Sequence, residues 1–348
     1  MRSLTKRDWP FLVAGAILLL LALISLWPTN RGLVRILDFV REPAIFLAAA
    51  VAIAALFLAR NGRWPAIGLC ALAAITNLVR IWPYTALAPS DVALPDQVDG
   101  MNCARVLSFN VLQTNDRYPE TAALIEKVDP DILLLMETHE PWIEALGPTL
   151  ARYDYTLIRP LDNKYGMAFA TRLQVDAAEM AIVTGSNTPT LYATLRMADG
   201  ARFELIGLHP RPPLPGESTD RRDANIARAG SKTPDGLGNV LAIGDFNDVP
   251  WSRTTENFRE EGDYLDPRVG RGTFATFPAS LAFAGWPLDQ IMIKDGVKVA
   301  EMDIGRNVGS DHLPMIAKVC VDPASPDADV ENPAMAESRS GGRAKPSR

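Results

Sequence analysis

Hydrophobic and polar positions divide this chain in two. Its first 84 residues hold three runs without a charged side chain, Phe11 to Trp27, Pro43 to Ala59 and Pro65 to Val79, each 15 to 17 residues long. An α-helix needs roughly 17–25 residues to cross a bilayer, so the runs sit at the short end of that range. Trp9, Trp27, Trp64, Trp82 and Tyr84 flank them, where interfacial aromatic anchors belong. The pattern predicts a membrane anchor of three transmembrane helices over residues 1–84. Arg2, Lys6 and Arg7 precede the first run as in a signal peptide, but no small-x-small cleavage site follows and two further apolar runs do.

The pattern then changes. Residues 85–101 are rich in Pro, Ala and Asp and read as a linker, and residues 321–348 are Pro, Ala, Ser, Gly and mixed charge without periodicity, which predicts a disordered tail. Between them, residues 102–320 carry short apolar runs with polar tips. RVLSFNV (105–111) ends at Asn110, DILLLMET (131–138) at Glu137, FELIGLHP (203–210) at His209 and NVLAIGDFN (239–247) at Asp245 and Asn247. The order then inverts, because LDQIMI (288–293) begins with Asp289 and SDHLPMIAKVCV (310–321) with Asp311 and His312. Strands running in opposite directions within stacked sheets would bring all six tips to one rim. Pro119 to Val128 has helical spacing, and mixed sheets with intervening helices predict an α/β sandwich.

Charge narrows the partners. Residues 1–84 carry nine Lys/Arg against three Asp/Glu, a net of +6, while the whole chain is −6. Residues 102–320 hold 22 positive and 30 negative side chains, a net of −8. Sequence-independent nucleic-acid binding depends on Lys/Arg at phosphates, so that balance argues against it. Arg2, Lys6, Arg7, Arg60 and Arg63 lie on one side of the expected crossings, against Arg31, Arg35, Arg41 and Arg80 on the other. The positive-inside rule then puts the N-terminus in the cytoplasm and the domain outside a multi-pass protein, on the periplasmic side.

The strand tips define the chemistry. Two of the chain's three histidines, His209 and His312, fall on them; His139, in THEPW, fits no such pattern and reads as surface. Carboxylate and amide oxygens suit hard cations such as Mg²⁺ or Mn²⁺. Beside histidines held by carboxylates, such a cation serves in-line attack on phosphorus. GxxxxGK[ST] and GxSxG are absent, which excludes a P-loop and speaks against a serine hydrolase. DFND lacks the glycine and distal glutamate of an EF-hand. Asp248 reads as turn chemistry, Trp251 as a packing or cleft-rim aromatic, and Arg211, Arg221, Arg222 and Arg228 as phosphate contacts or a solvated loop.

SFN, MET, GLHP, GDFND, LDQIMI and SDHLP, in that order, resemble the endonuclease/exonuclease/phosphatase superfamily with its deoxyribonuclease-I-like fold. The resemblance implies a two-sheet α/β sandwich and divalent-metal hydrolysis of phosphate esters. It implies Glu137 as the principal metal ligand, supported by Asn110 and Asp311. His312 would be the general base, oriented by Asp289, while Asp245 and Asn247 would position water or phosphate and help the leaving group. His209 matches a second histidine of the nuclease and sphingomyelinase branches. YGMAFATR (165–172) is similar to the strand before the substrate loop, placing Tyr165 at the cleft. The substrate is a phosphate ester, nucleic acid or lipid head group, with a catalytically dead membrane-tethered binding module as the remote alternative. No obligate protein partner is evident. If the strands ending at Asn110 and beginning at His312 pair directly, as the resemblance suggests, Cys103 and Cys320 become neighbours, either bridged or as two buried thiols.

Overall fold

A computed structural model describes residues 3–92, 102–183, 187–231, 237–294 and 296–321. Residues 93–101 of the expected linker and the expected tail after Val321 lie outside the described residues. The N-terminal part consists of α1 (Trp9–Ile24), a short α2 (Gly32–Arg35), α3 (Arg41–Leu58) and α4 (Arg63–Ile81). Two segments are long and apolar enough to cross a membrane, Arg41–Leu58 with mean hydropathy 1.8 and Arg63–Tyr84 with mean hydropathy 1.5. The first expected span is shorter than anticipated: α1 has 16 residues and stops at Ile24, because Ser25 turns back to cap it and the chain leaves the helix before Trp27. Small residues let α1 and α4 approach closely; a Cβ on Gly15 would lie 3.0 Å from that of Leu69 and 3.3 Å from Cys70 Sγ. Asp8 closes one end of the bundle by accepting the Arg60 N–H at 2.7 Å.

Residues 102–321 fold into two sheets. The first contains β1 (Asn102–Asn110), β2 (Ile132–Met136), β3 (Tyr155–Arg159), β4 (Met167–Thr171), β10 (Val297–Ile304) and β11 (Met315–Val321), in the order β10-β11-β1-β2-β4-β3. The second is a five-stranded run of β5 (Gln174–Ala181), β6 (Thr190–Arg196), β7 (Arg202–Leu208), β8 (Val240–Asp245) and β9 (Asp289–Ile293). Leu134, Met136, Phe169, Leu205, Ile243 and Ile291 are among the side chains that meet between the sheets. Every residue of β2, ILLLM, is buried, because its other face lies under α5 (Tyr118–Val128) and α6 (Glu140–Leu150). A strand covered on both faces reads as a continuous apolar run. The second sheet is covered by α7 (Asp220–Ser231) and α8 (Arg253–Gly262), through Ile226 and Phe258.

The pairings bear out the inverted strand tips. β1 runs parallel to β2 and β7 parallel to β8, while β11 is antiparallel to β1 and β9 antiparallel to β8. The ends after β1, β2, β7 and β8 therefore meet the beginnings of β9 and β11 on one rim, with Asp245 directly opposite Asp289. At the far end of the β1–β11 ladder, Cys103 pairs in register with Cys320 and the two are disulfide-bonded.

The N-terminal helices and the sandwich share an interface. Ile81, Tyr84, Val249, Trp251, Val269 and Leu288 form one buried cluster. Trp251 is 1 % exposed and its indole N–H donates to the Asp38 carbonyl at 2.8 Å, so it is a packing aromatic rather than a cleft-rim one. Tyr84 donates to the Pro250 carbonyl at 3.2 Å, and Arg80 pairs with Glu256. Gly32 N–H donates to the Glu217 carbonyl at 2.9 Å, and Thr219 N–H to the Asn30 carbonyl at 2.8 Å. The start of the expected linker also packs on the sandwich, with Asp91 bonded to Arg259 at 3.0 Å.

Candidate active site

Each tip is held by the backbone that carries it. Glu137 and Asn247 follow β2 and β8 in the left-handed region, with φ of 61° and 49°. Such conformations cost of order 1–3 kcal/mol for a non-glycine residue and persist where the surroundings over-determine them, commonly at functional sites. Just before, Gly244 has φ of 144°, and a Cβ there would meet the Leu208 carbonyl oxygen at 2.1 Å. Only glycine lets β8 lie this close to β7 and still deliver Asp245 to the rim.

The residues converge as follows. His312 Nδ1 lies 2.7 Å from Asp289 Oδ2. Its Nε2 faces Asp245 Oδ2 at 3.6 Å, and His209 Nε2 faces the same oxygen at 3.6 Å. Asn110 donates its side-chain amide to Asp245 Oδ2 at 3.0 Å and to Glu137 Oε1 at 3.2 Å. Gln113 N–H donates to Glu137 Oε2 at 3.1 Å. Asn247 N–H donates to Asp245 Oδ1 at 2.8 Å, and its side-chain amide to the Pro210 carbonyl at 3.0 Å. The Tyr165 ring lies tilted against that of His209 with centroids 5.2 Å apart, and the Arg211 guanidinium lies 5.6 Å over the Tyr165 ring. Asn110, His209, Asp245, Asp289 and His312 are at most 5 % exposed, whereas Glu137, Tyr165 and Asn247 are half-buried.

Electrostatics divides the carboxylates. Burial pushes the Asp245 carboxyl up, but the facing His312 and His209 imidazoles, the Asn110 amide and the Asn247 N–H together hold it below the usual carboxylate value. A carboxylate favoured in its ionised form is suited to orienting a proton or a water. Burial pushes the Asp289 carboxyl up, and neighbouring Asp245 adds to this. For His312 burial works downward, yet Asp289 and Asp245 outweigh it and raise the imidazole to about 10.

The metal ligands inferred from the resemblance fare unevenly. Glu137 accepts one hydrogen bond on each oxygen, which leaves lone pairs for a cation. Asn110 instead presents its N–H groups to the carboxylates and uses its oxygen to accept the Leu112 N–H at 3.0 Å. Asp311 is exposed; its backbone carbonyl accepts from Ala279 N–H, and no contact joins its carboxylate to Glu137. The group that can converge on one ion comprises Asp245, Asp289 and His312, assigned above to catalysis, with one donor atom of each within 4.8 Å of the others. Asp289 Oδ1 in that group is buried without a hydrogen-bond partner. An oxygen-rich set without thiols fits a hard divalent cation.

Several supports lay outside the sequence reading. Ser310 donates to the Asn110 carbonyl at 2.7 Å and accepts the His312 N–H at 3.0 Å, tying the two strand tips together. Met136 Sδ accepts the Asp245 N–H at 3.1 Å across the sandwich, and the Phe277 ring lies 4.9 Å from that of His312. Ser310 and Met136 lie within the SDHLP and MET motifs, which gave them no role of their own, and Phe277 lies in none of the motifs. Asp248 is more than a turn residue: it is buried, pairs with Arg222 and accepts the Ser252 hydroxyl at 2.6 Å. Of the four arginines, Arg222 is thus spent on Asp248 and Asp223, and Arg228 donates to the Val183 carbonyl at 3.2 Å.

Comparison with known proteins agrees with this geometry. No protein of curated function matches the chain. Among solved structures, a humanised D. rerio TDP2 carrying 14 mutations is 14 % identical with a TM-score of 0.52, covering 62 % of this chain and 98 % of that one. An endonuclease/exonuclease/phosphatase from Bacteroides vulgatus is 16 % identical with a TM-score of 0.51, covering 63 % and 99 %. The human nocturnin catalytic domain with bound sulfate is 17 % identical with a TM-score of 0.50, covering 63 % and 95 %. At these identities the likeness concerns the fold. The family model for "Endonuclease/Exonuclease/phosphatase family" matches residues 107–312, more than half of the chain and every strand tip described above, and the chain belongs to that family.

Proposed function

We propose that this chain is a membrane-anchored, divalent-metal-dependent phosphoesterase that attacks phosphorus with water. The observation that carries this is His312, held at Nδ1 by Asp289 while its Nε2 faces Asp245. The water oxygen adds to phosphorus in line with the leaving oxygen, and His312 Nε2 takes the water proton. The bond from phosphorus to the leaving oxygen breaks, that oxygen is protonated from solvent, and His312 returns its proton to water. One water is consumed. Asp245, kept ionised, orients the imidazole, and Asn247 and His209 line the phosphate side. Glu137, with the Asp245 and Asp289 carboxylates beside it, would hold Mg²⁺ or Mn²⁺, leaving His312 Nε2 free as the base; the cation would neutralise phosphate charge and ease proton loss from water and from His312. A D. rerio TDP2 of the same fold has been solved with a single-stranded DNA product, which supports a phosphodiester substrate. A lipid head-group phosphoester is the second reading, favoured by the apolar helices and the domain's net charge of −8.

Orientation rests on the bundle ends. The loop after α1 and the end of α4 contact the sandwich, whereas the N-terminal arm meets the α3–α4 loop at the other end. On the sandwich side Arg35, Arg41 and Arg80 are paired with Asp38 and Glu256. Lys6, Arg7, Arg60 and Arg63 form no ion pair among the described residues, which sharpens the charge asymmetry toward a cytoplasmic N-terminus. The Cys103–Cys320 bridge suits an oxidising, external compartment. The deciding experiment is a substrate panel for the full-length protein in detergent, comprising DNA, RNA, sphingomyelin, phosphoinositides and an aryl phosphodiester, with Mg²⁺, Mn²⁺ or EDTA. Turnover that needs the metal supports the reading; full activity in EDTA overturns it.

A further inference from the structure

The loop before β9 lies between the candidate active site and the N-terminal helices. It closes on itself at Phe277 and Trp286, where the Trp286 carbonyl accepts the Phe277 N–H at 3.0 Å and the Thr276 N–H at 3.1 Å. One side of this loop holds the catalytic strand tips. Leu313 N–H donates to the Thr276 carbonyl at 2.9 Å, and Ala279 N–H to the Asp311 carbonyl at 2.7 Å. The Thr276 hydroxyl accepts the Asp289 N–H at 3.3 Å, and the Phe277 ring lies tilted against the His312 imidazole, centroids 4.9 Å apart. The other side faces the turn between α2 and α3. There Trp286 stacks on Phe277 with centroids 6.1 Å apart, its indole N–H donates to the Phe39 carbonyl, and the Phe39 ring meets it edge-on at 6.2 Å. The rings of Phe39, Trp286, Phe277 and His312 thus form one line from the N-terminal helices to the imidazole.

A separate route ties Asp289 to the same helices. Arg268, fully buried, donates to the Asp289 carbonyl at 3.4 Å and to Gln290 Oε1 at 2.9 Å. Its guanidinium lies 5.8 Å over the ring of Tyr84, just beyond α4.

Resting on the phosphoesterase reading, we infer that Phe39 is a positioning residue for His312, acting through Trp286 and Phe277, so that turnover depends on how the N-terminal helices dock. The bond from Nδ1 to Asp289 fixes one point of the imidazole and leaves its plane free to pivot. The Phe277 face limits that pivot, and Trp286 and Phe39 back it from behind. A catalytic group displaced by about 1 Å can cost ~10²-fold in rate, so a small loosening of this line reaches the chemistry. Phe39, Phe277 and Trp286 flank the interface cluster that contains Ile81, which supplies a control: Ile81→Ala loosens the same interface without removing a ring.

The test uses the full-length protein in detergent with Mg²⁺ and the panel substrate that the parent turns over fastest. Phe39→Ala is expected to lower kcat about tenfold with KM within about twofold of the parent, because the base is displaced and the substrate contacts are not. Phe39→Tyr keeps the ring and should retain the parent kcat. Ile81→Ala should lower the denaturant midpoint and leave kcat as in the parent. Trp286→Phe keeps a ring but loses the bond to the Phe39 carbonyl; its kcat should fall about threefold, and it decides the matter if Phe39→Ala does not fold. In histidine-labelled protein, the His312 ring signal, assigned by its loss in His312→Gln, should move in Phe39→Ala and stay in place in Ile81→Ala. A parent kcat in Phe39→Ala overturns the inference, as does an equal loss in Ile81→Ala or a Phe39→Tyr protein as slow as Phe39→Ala. A parent that turns over no substrate overturns the phosphoesterase reading and the inference with it, whereas parent turnover with the His312 signal unmoved in Phe39→Ala overturns the inference alone.

Discussion

His312 and Asp289 are bonded at 2.7 Å although 23 residues separate them and they belong to different sheets, Asp289 opening β9 and His312 preceding β11. This contact joins the two layers of the sandwich at the rim. It fixes which imidazole nitrogen faces the cleft, since Nδ1 is occupied and Nε2 is left toward Asp245.

Removing either partner has separable consequences. His312→Ala is expected to lower turnover by ~10²–10⁴, the range for loss of a general base. Asp289→Asn keeps a hydrogen-bonding side chain but loses the charge, so its loss should be smaller and its pH–rate profile displaced to lower pH. Steady-state kinetics across pH check both; an unaffected His312→Ala protein rules out the base assignment.

Stability should fall in alkali. The His312 pKa is raised from 6.5 to about 10 in the fold, so its contribution is fully present below about 6.5 and is lost as pH rises through about 10. Thermal unfolding in detergent with EDTA is expected to show a midpoint that declines over that window. His312→Gln should flatten the decline, and an identical slope in parent and variant would refute the coupling.

Metal removal tests Glu137. Glu137→Gln is expected to weaken Mg²⁺ or Mn²⁺ affinity at least ~10–100-fold, by calorimetric titration of the protein without substrate. Equal affinity in parent and variant would move the cation to the Asp245–Asp289–His312 group alone.

The contact between the N-terminal helices and the sandwich is expected to carry measurable stability. Trp251→Ala, which empties a site 1 % exposed, is expected to cost ~3–5 kcal/mol. Trp251→Phe loses chiefly the bond to the Asp38 carbonyl and should cost about 1 kcal/mol. Denaturant titration of the full chain in detergent measures both; a Trp251→Phe protein as stable as the parent would show that the indole N–H contributes nothing.

Two biochemical assays address the anchor and its sidedness. Carbonate extraction should leave the intact protein in the membrane fraction, and release into the supernatant would contradict an integral anchor. Non-reducing mass spectrometry should find Cys70 as the single alkylatable thiol, with Cys103 and Cys320 bridged. Three free thiols would remove the redox argument for an external domain.

Much of this protein was decided locally. Apolar runs such as ILLLM and VLAIGD are too short for helices and, being continuous, read as strands covered on both faces, and their polar ends announce a rim wherever the strands terminate together. The residue types at those ends, two histidines among carboxylates and amides, pointed to phosphate chemistry with a hard cation, and the family model covers every one of those ends. The helix expected over Pro119 to Val128 begins one residue earlier, at Tyr118, and ends at Asp129 in the left-handed conformation. What no local pattern contained is the distribution of roles. Asn110 turns its N–H groups rather than its oxygen to the carboxylates because Leu112 N–H, two residues on, claims that oxygen. Asp248, which reads as turn chemistry, is instead held in the interior by Arg222, on a helix 26 residues away in sequence. Trp251 belongs to the interface with the N-terminal helices because a carbonyl 213 residues distant receives its N–H. Each of these depends on which groups are desolvated together, and desolvation is a property of packing between segments far apart in sequence, so the tertiary structure alone decided it.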